Sequence, residues 1–227
     1  MSTESGIPDF RSDSGLYNAK SSYGHSPEEL LSFTFFKREP ELFFRYYREN
    51  LIAKDARPND AHIVLAELEH SGKLQAVITQ NVDGLHQAAG SVTVLELHGS
   101  NYNHYCMSCR VRYSLDYILQ REGIPVCEKC EGIVRPDIVL YEEGLDSAVL
   151  QASINAIMGA ELLIVGGTSL AVYPAAGLLH YYKGSALVLI NKTSTPADRY
   201  ARLVIQDSIG KVLRQCVGGD DTRVAEK

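Results

Sequence analysis

The sequence predicts an α/β fold, in which a parallel sheet has helices on both faces and carries a small zinc-ribbon module and a helical insert. Two observations support this prediction. Short aliphatic runs alternate with helical patterns along most of the 227 residues, which is typical of buried parallel strands in α/β proteins. Four cysteines lie in two closely spaced pairs between two of these runs, which indicates a metal-binding module.

Helical periodicity marks several segments of the chain. Three of them start with proline, a residue favoured in the first turn of a helix, and the first two continue with apolar residues three and four positions apart. The helices predicted in this way span residues 40–53, 58–71, 147–158 and 174–183.

Short runs of β-branched and aliphatic residues separate the helical patterns. Because such runs are brief and bounded by helices, they are typical of buried parallel strands. The predicted strands span residues 76–79, 162–165 and 187–190, with a weaker run at 203–205.

Polar and small residues follow three of these strands. Residues 80–83 read QNVD, residues 166–169 read GGTS, and residues 191–193 read NKT. Ligands of open parallel sheets bind at the carboxyl ends of the strands, where glycines admit a phosphate and hydroxyl or amide groups bond its oxygens. Each segment taken alone fits an ordinary strand-to-helix turn with a capping residue equally well. The three together favour a nucleotide site.

The four paired cysteines form two Cys-x-x-Cys knuckles: Cys106 with Cys109, and Cys127 with Cys130. This spacing is typical of a zinc ribbon, in which four thiolates close a tetrahedral structural site. Because no coordination position stays open for water, we expect the metal to hold structure and to do no chemistry. The alternative is chance spacing or a redox pair. Cys216 stands apart and is interpreted as an isolated thiol.

Composition narrows the class of partner. Hydrophobic residues make up 45% and charged residues 22% of the chain, as in ordinary globular domains. The net charge of −6 argues against direct nucleic-acid binding, which usually needs a basic face. The first eleven residues contain no secretory apolar run, and no run approaches the length of a membrane span. We therefore expect a cytoplasmic protein that does not bind membranes.

Four segments resemble the motifs of one family, the sirtuins. They are residues 5–11 (SGIPDFR), 79–86 (TQNVDGLH), 97–99 (LHG), and 167–169 (GTS) with Asn191. The cysteines fall between the third and fourth segments, as they do in sirtuins, and the resemblance extends to about Ile209. It implies a Rossmann-like sheet, NAD as co-substrate, one structural Zn²⁺, and acetyl-lysine proteins or peptides as substrates of an NAD-dependent deacetylase.

The resemblance also implies roles for individual residues. His98 is the expected general base that accepts a ribose hydroxyl proton, since imidazole has a suitable pKa. Val139 and Tyr141 are expected to pair with the acyl-lysine peptide and line its channel, although Val139 fits a plain core strand too. The expected NAD-binding residues are Ile7, Phe10, Arg11, Gln80, Asn81, Asp83, Gly167, Thr168, Ser169, Asn191 and Ser208.

Within that set the roles differ. Asn81 and Asp83, grouped with His98 as catalytic, are expected to hold ribose, an ordered water and the nicotinamide carboxamide, with Ile7 in the same pocket. Phe10 is expected to shield the reactive centre from water. Ser208, at the start of the last helix, is a looser match to the position that contacts adenine.

The implied reaction consumes the cofactor. The acyl oxygen attacks the ribose anomeric carbon and nicotinamide leaves. His98 then promotes attack of the neighbouring hydroxyl, and water releases lysine and O-acyl-ADP-ribose. Two alternatives stay open: a mono-ADP-ribosyltransferase that uses the same site, and a non-catalytic binder of ADP-ribose or acyl-lysine.

The resemblance divides the chain into modules. The NAD-binding domain comprises residues 1–17, 54–100 and 139–216, the helical insert residues 18–53, the zinc module residues 101–138, and a tail residues 217–227.

Three features depart from the family pattern. Glu142 and Glu143 stand where many sirtuins have Gly-Glu. Tyr47 is followed by Asn50 and lacks the arginine of the Tyr-x-x-Arg pair that binds succinyl groups, so acetyl-lysine is the expected substrate. Sirtuins also have a helix, a strand and a Gly-Ala-Gly turn before the residues that match 2–11. Either the chain is incomplete, or it is a natural short form whose sheet has an exposed gap. The 227 residues as they stand are expected to bind NAD weakly.

Overall fold

The computed structural model describes residues 1–9 and 23–218. The predictions for Phe10, Arg11 and residues 219–227 lie outside this part of the chain. Within it, no helix is long and apolar enough to cross a membrane. The helices are α1 (Pro27–Leu30), α2 (Phe33–Arg38), α3 (Pro40–Asn50), α4 (Asp60–His70), α5 (Leu85–Ala88), α6 (Leu115–Leu119), α7 (Ser147–Gly159) and α8 (Ile209–Val217). The strands are β1 (Val77–Thr79), β2 (Val94–Glu96), β3 (Gly99–Cys106), β4 (Arg112–Ser114), β5 (Val134–Ile138), β6 (Leu162–Gly166), β7 (Ala186–Ile190) and β8 (Leu203–Ile205).

The parallel strands form two ladders. β1 pairs with β2, and β6, β7 and β8 form a second sheet in that order. The predicted strands are therefore present and parallel, but among the described residues no strand of one ladder pairs with a strand of the other. β2 was not predicted from the sequence.

Helices cover both faces of the parallel strands. Val77 of β1 packs in a cluster with α4 and α8. Its neighbour Ile78 packs in a second cluster that includes Ile157 of α7 and Leu178. Successive strand residues point to opposite faces, so these two contacts place α4 and α8 on one side and α7 on the other.

β6 is less buried than the sequence predicted. Its residues Leu162 and Ile164 are 51% and 37% exposed, whereas a strand inside a covered parallel sheet is buried on both faces. Among the described residues β6 is hydrogen-bonded only to β7. A strand with one neighbour has less surface around it to pack its side chains, so apolar identity alone did not ensure burial.

Helix boundaries follow local capping. α4 begins after Asn59, whose side chain accepts a hydrogen bond from the Ala61 amide at 2.9 Å, while His62 Nδ1 accepts the Asn59 amide at 3.2 Å. The helix ends before Gly72, which has a left-handed φ of 72°. The predicted helix at 174–183 is instead a 3₁₀ helix, Ala175–Tyr181. Periodicity over so few residues did not distinguish the two helix types.

The helical insert and the cysteine-bearing module share one core. β3 lies between β4 and β5 in an antiparallel sheet. Val134 and Ile138 of this sheet pack with the aromatic side chains of α2 and α3. The fully buried aromatic residues of this core are Phe35, Phe36, Phe43, Phe44 and Tyr47. The two modules therefore support each other beside the parallel strands.

Candidate active site

Side-chain hydrogen bonds join the carboxyl ends of three parallel strands. Gln80, after β1, lies with its Nε2 3.4 Å from Thr168 Oγ1, after β6. The Thr168 amide donates to Asn191 Oδ1, after β7, at 3.0 Å. The structure thus brings together the three polar segments that the sequence placed at one sheet edge.

Asn191 carries an unused donor at this edge. Its side chain is 9% exposed, and its Nδ2 has no hydrogen-bond partner among the described residues. A buried donor without a partner is destabilising unless a ligand oxygen accepts from it. The position therefore fits a ribose hydroxyl or a phosphate oxygen.

At the end of β6, the backbone of Gly167 lies close to the backbone of Met1. It has a φ of 64°, and a Cβ there would lie 2.4 Å from the Met1 backbone nitrogen. Any other residue would be both strained and in collision. Ser169, two residues on, is exposed beside this turn.

His98 lies between the strand ends and the segment that follows β5. Its Nδ1 is 2.9 Å from the carbonyl oxygen of Gln80, and its own carbonyl accepts the Val139 amide at 2.9 Å. Burial lowers the pKa of His98, an effect partly offset by the bond to Gln80. Because a carbonyl can only accept, Nδ1 carries the proton and Nε2 keeps its lone pair.

The residue after His98 must be glycine. Gly99 has a φ of 76°, and a Cβ there would lie 2.0 Å from the Asp137 carbonyl oxygen. β3 starts at Gly99 and pairs with Ile138 of β5 at this point. The close approach of the two strands fixes the backbone that carries the imidazole.

One hydroxyl, for which the sequence motifs predict no role, connects Asn81 and Asp83. Ser2 Oγ donates to Asp83 Oδ2 at 2.5 Å and accepts from Asn81 Nδ2 at 2.7 Å. Asp83 Oδ1 also accepts the Leu85 amide at the start of α5. The one sequence signal for Ser2 is its position just before the segment 5–11, which matches the family.

Two cavities open beside these residues. One, of about 270 Å³, is lined by Asp83, Asn101, Tyr102 and Lys54, among others. The other, of about 320 Å³, includes Ile7 in its lining and shares residues 52–54 with the first. Ile7 and Asp83 thus line two cavities that have residues 52–54 as a common wall.

Glu4 occupies the start of α8. Its Oε2 accepts hydrogen bonds from Ser208 Oγ at 2.5 Å and from the Gly210 amide at 3.1 Å. Ser208 makes no side-chain cap of its own helix. The Ser208 hydroxyl, expected near adenine, is therefore bonded to Glu4, for which the sequence motifs predict no role.

The segment expected to receive peptide is fixed through its backbone. The Tyr141 amide donates to the Leu31 carbonyl and the Tyr141 carbonyl accepts the Phe33 amide, each at 3.0 Å. The Val139 amide is bonded to His98. These bonds align the segment with both His98 and the helical insert, so the backbone groups of Tyr141 are already used by the protein.

The four paired cysteines converge as predicted. All four Sγ atoms lie within 4.8 Å of one another, and the Cys106–Cys130 and Cys109–Cys127 pairs are each 3.5 Å apart. Tetrahedral zinc with Zn–S bonds of about 2.3 Å needs sulfur atoms about 3.8 Å apart. The cluster therefore fits one Zn²⁺ and leaves no open ligand position.

Neighbouring donors favour the thiolate forms of Cys127 and Cys106. At Cys130 the Gly132 amide lowers the pKa, but the neighbouring thiols of the cluster outweigh it and raise the pKa to about 12. The Tyr113 hydroxyl donates to Cys127 Sγ at 3.1 Å and is the main reason that the pKa of Cys127 is lowered to about 6. The Cys109 amide, 3.5 Å from Cys106 Sγ, is the main cause of the lowered pKa of Cys106. Zinc ligands must be deprotonated, so these contacts favour metal binding.

A match to one family model decides which protein family this chain belongs to. The model of the Sir2 family matches residues 1–174. The chain belongs to the Sir2 family. The match includes the His98 motif and all four clustered cysteines, so the resemblance found in the sequence is confirmed.

Relatives and solved structures agree with this assignment. The chain is 58% identical over 218 residues to the NAD-dependent protein deacetylase of Clostridium acetobutylicum, covering 96% of this chain and 89% of that protein. A structure described as Sir2 bound to acetylated peptide aligns at 37% identity and a TM-score of 0.84, and one described as Sir2-p53 peptide-NAD+ at 39% and 0.81. Both alignments cover 96% of this Sir2 chain and 89% of the other. The predicted fold class, a Rossmann-like sheet with a cysteine-bearing module, is confirmed.

Proposed function

We propose that this Sir2 protein is an NAD-dependent protein-lysine deacetylase. It transfers the acetyl group of acetyl-lysine to ADP-ribose and releases nicotinamide. One observation carries the proposal. Among the described residues His98 Nε2 has no hydrogen-bond partner, while His98 is bonded to Gln80 at the nucleotide edge and to Val139 in the expected peptide segment. The deacetylase relative with 58% identity supports the same reaction class.

The strand ends fit the co-substrate. The buried donor Asn191 Nδ2 has no partner among the described residues, which suits an oxygen of the ADP-ribose moiety. Thr168 and the Gly167 turn lie beside it, and Ser169 follows. NAD supplies the anomeric carbon and the nicotinamide leaving group. We assign Asn191, Thr168, Ser169 and Gly167 to its phosphate and adenosine end.

The reacting end lies nearer the N-terminal segment. Ser2 holds Asn81 and Asp83 together, and we assign these two side chains to the nicotinamide ribose, a water and the carboxamide. Ile7 lines the adjoining cavity. Gln80, which orients His98, is assigned to the same ribose.

His98 is the proposed general base. Its Nδ1 proton is held by the Gln80 carbonyl, so Nε2 is the atom that accepts a ribose hydroxyl proton. The lowered pKa keeps the imidazole neutral at neutral pH. Val139 and Tyr141 are assigned to the acetyl-lysine peptide, with Tyr141 contributing its side chain because its backbone groups bond the insert.

Three further assignments belong to the proposal. The module boundaries follow the division given by sequence, with the insert and zinc module joined through their common core. Ser208 is assigned to the adenine end through its bond to Glu4. A cytoplasmic location is supported by four clustered thiols, which stay reduced as zinc ligands in that compartment.

Product analysis tests the proposal. The protein, NAD and an acetyl-lysine peptide are incubated, and the products are separated by mass spectrometry. Deacetylation yields nicotinamide, free-lysine peptide and O-acetyl-ADP-ribose in equal amounts. Protein-bound ADP-ribose without deacetylated peptide would favour the transferase alternative. Binding of NAD or peptide with no turnover would favour the non-catalytic alternative.

A further inference from the structure

The turn after the peptide segment contains a glutamate in an unusual conformation. Glu142 has a φ of 77° and is the third residue of a turn closed by the Glu143 amide on the Leu140 carbonyl at 3.1 Å. This turn position favours glycine or asparagine, because other side chains are strained there. The strain at Glu142 therefore calls for a compensating contact.

The Glu142 carboxylate makes that contact with the helical insert. Its Oε2 accepts the Thr34 amide at 2.9 Å and the Thr34 hydroxyl at 2.7 Å, in the first turn of α2. The adjacent Tyr141 exchanges two backbone hydrogen bonds with Leu31 and Phe33. The turn and residues 31–34 are thus joined by four hydrogen bonds, two of which the Glu142 side chain accepts.

The other end of the turn is held separately. Glu143 forms a bidentate pair with Arg135, with distances of 2.6 and 2.8 Å, and accepts the Leu140 amide at 2.9 Å. Arg135 is 4% exposed, so removing this pair would leave a buried charge. Glu142 and Thr34 are exposed, and their contact can be removed without that penalty.

We propose that Glu142 is a positioning residue for the acetyl-lysine peptide. By tying the turn to α2, it sets where Val139 and Tyr141 lie relative to the insert, while Glu143 fixes the opposite side. Glycine at this position relieves the backbone strain but releases the turn. This inference rests on the proposed function, because it needs residues 139–141 to be the peptide segment.

The first test is peptide affinity in a Glu142→Gly variant. Fluorescence anisotropy with a labelled acetyl-lysine peptide measures binding without turnover. Loss of two hydrogen bonds to a carboxylate is expected to weaken peptide binding about three- to tenfold. NAD affinity, and kcat at saturating peptide, should stay within about twofold. A matched control is Glu131→Gly, since Glu131 is also exposed and left-handed, with a φ of 59°.

A second pair of variants separates the tether from general stability. Glu142→Gln keeps an acceptor for Thr34 and should recover most of the lost affinity. Thr34→Ala removes the hydroxyl bond and should weaken peptide binding less than Glu142→Gly does. The double variant should lose no more peptide affinity than Glu142→Gly alone, because the contact with Thr34 is already absent there.

Clear outcomes would overturn the inference. Unchanged peptide affinity in Glu142→Gly would do so, as would full additivity with Thr34→Ala. A parallel fall in melting temperature, NAD affinity and peptide affinity would assign Glu142 a structural role only. If the wild type binds the peptide but does not deacetylate it, the proposed function fails while the binding comparison still decides the role of Glu142.

Discussion

His98 Nδ1 lies 2.9 Å from the carbonyl oxygen of Gln80. The bond fixes one tautomer of the imidazole and ties its orientation to the end of β1, which also begins the nucleotide edge. A base aligned in this way needs no reorganisation before it accepts a proton. The carbonyl of Gln80 thus orients the proposed base, while its side chain lies at the nucleotide edge.

Replacing His98 by alanine should remove deacetylation and spare NAD binding. Loss of a positioned base typically lowers the rate ~10²–10⁴-fold. Turnover of an acetyl-lysine peptide and NAD affinity by calorimetry measure the two effects. His180→Ala is a suitable control, because His180 is exposed. Normal turnover in His98→Ala would contradict the assignment.

Replacing Asn191 by aspartate should weaken NAD binding by at least about tenfold. The carboxylate can still accept the Thr168 amide, but the Nδ2 donor is lost and a negative charge is placed near the phosphates. Calorimetry with NAD measures the change. Asn155→Asp, on the exposed side of α7, makes the same charge change elsewhere. Equal affinities in the two variants would refute the cofactor assignment.

Metal analysis should find about one zinc ion per chain, as a four-thiolate site requires. Structural zinc is coupled to folding, so a chelator should lower the melting temperature, and Cys127→Ala should aggregate. Cys216→Ser should behave as wild type, because Cys216 lies outside the cluster. A metal-free preparation with unchanged stability would rule out the zinc site.

Acetyl-lysine should be turned over faster than succinyl-lysine. Tyr47 is fully buried with its hydroxyl 3.1 Å from His104 Nε2, and Asn50 Nδ2 donates to the Tyr46 carbonyl. Neither side chain supplies the cation that a succinyl carboxylate needs, and an unpaired buried carboxylate is destabilising. Competition between the two peptides measures the preference. Faster succinyl turnover would show that another cation serves the acyl channel.

Acid should destabilise the fold through His62. This side chain is fully buried, and burial first, then the neighbouring His86, lowers its pKa to about 4. Asp83 and Glu4 act in the opposite direction. Between pH 6.5 and 4 the unfolded chain binds the proton more readily, so stability falls as the pH falls. The expected loss is about 2 kcal/mol between pH 7 and 5.

Urea unfolding at the two pH values measures this loss. His62→Gln is the comparison, because glutamine does not titrate and can still accept the Asn59 amide in the capping box. Zinc affinity also falls with pH, so the difference between wild type and variant isolates His62. Identical pH dependence in both proteins would exclude the histidine.

Local sequence patterns were sufficient to predict the elements whose formation depends on residues close together in the chain. The strand at 203–205 and the helix starting at Ser147 match the structure, because a short aliphatic run and an Asp146 cap act within a few positions. The Cys-x-x-Cys pairs likewise predicted the cluster, since two ligands of each pair are set by one turn. The motif around His98 identified the family.

Contacts between distant residues were decided only by the tertiary structure. Glu4 reaches Ser208, and Glu142 reaches Thr34, pairs for which no local spacing gives a signal. The exposure of β6 likewise depends on how many strands lie beside it, not on its own aliphatic residues. The sequence by itself determined the family and the residues proposed for its chemistry, because motifs are local. Only the folded chain decided their partners, because hydrogen bonding and burial depend on groups that folding brings together.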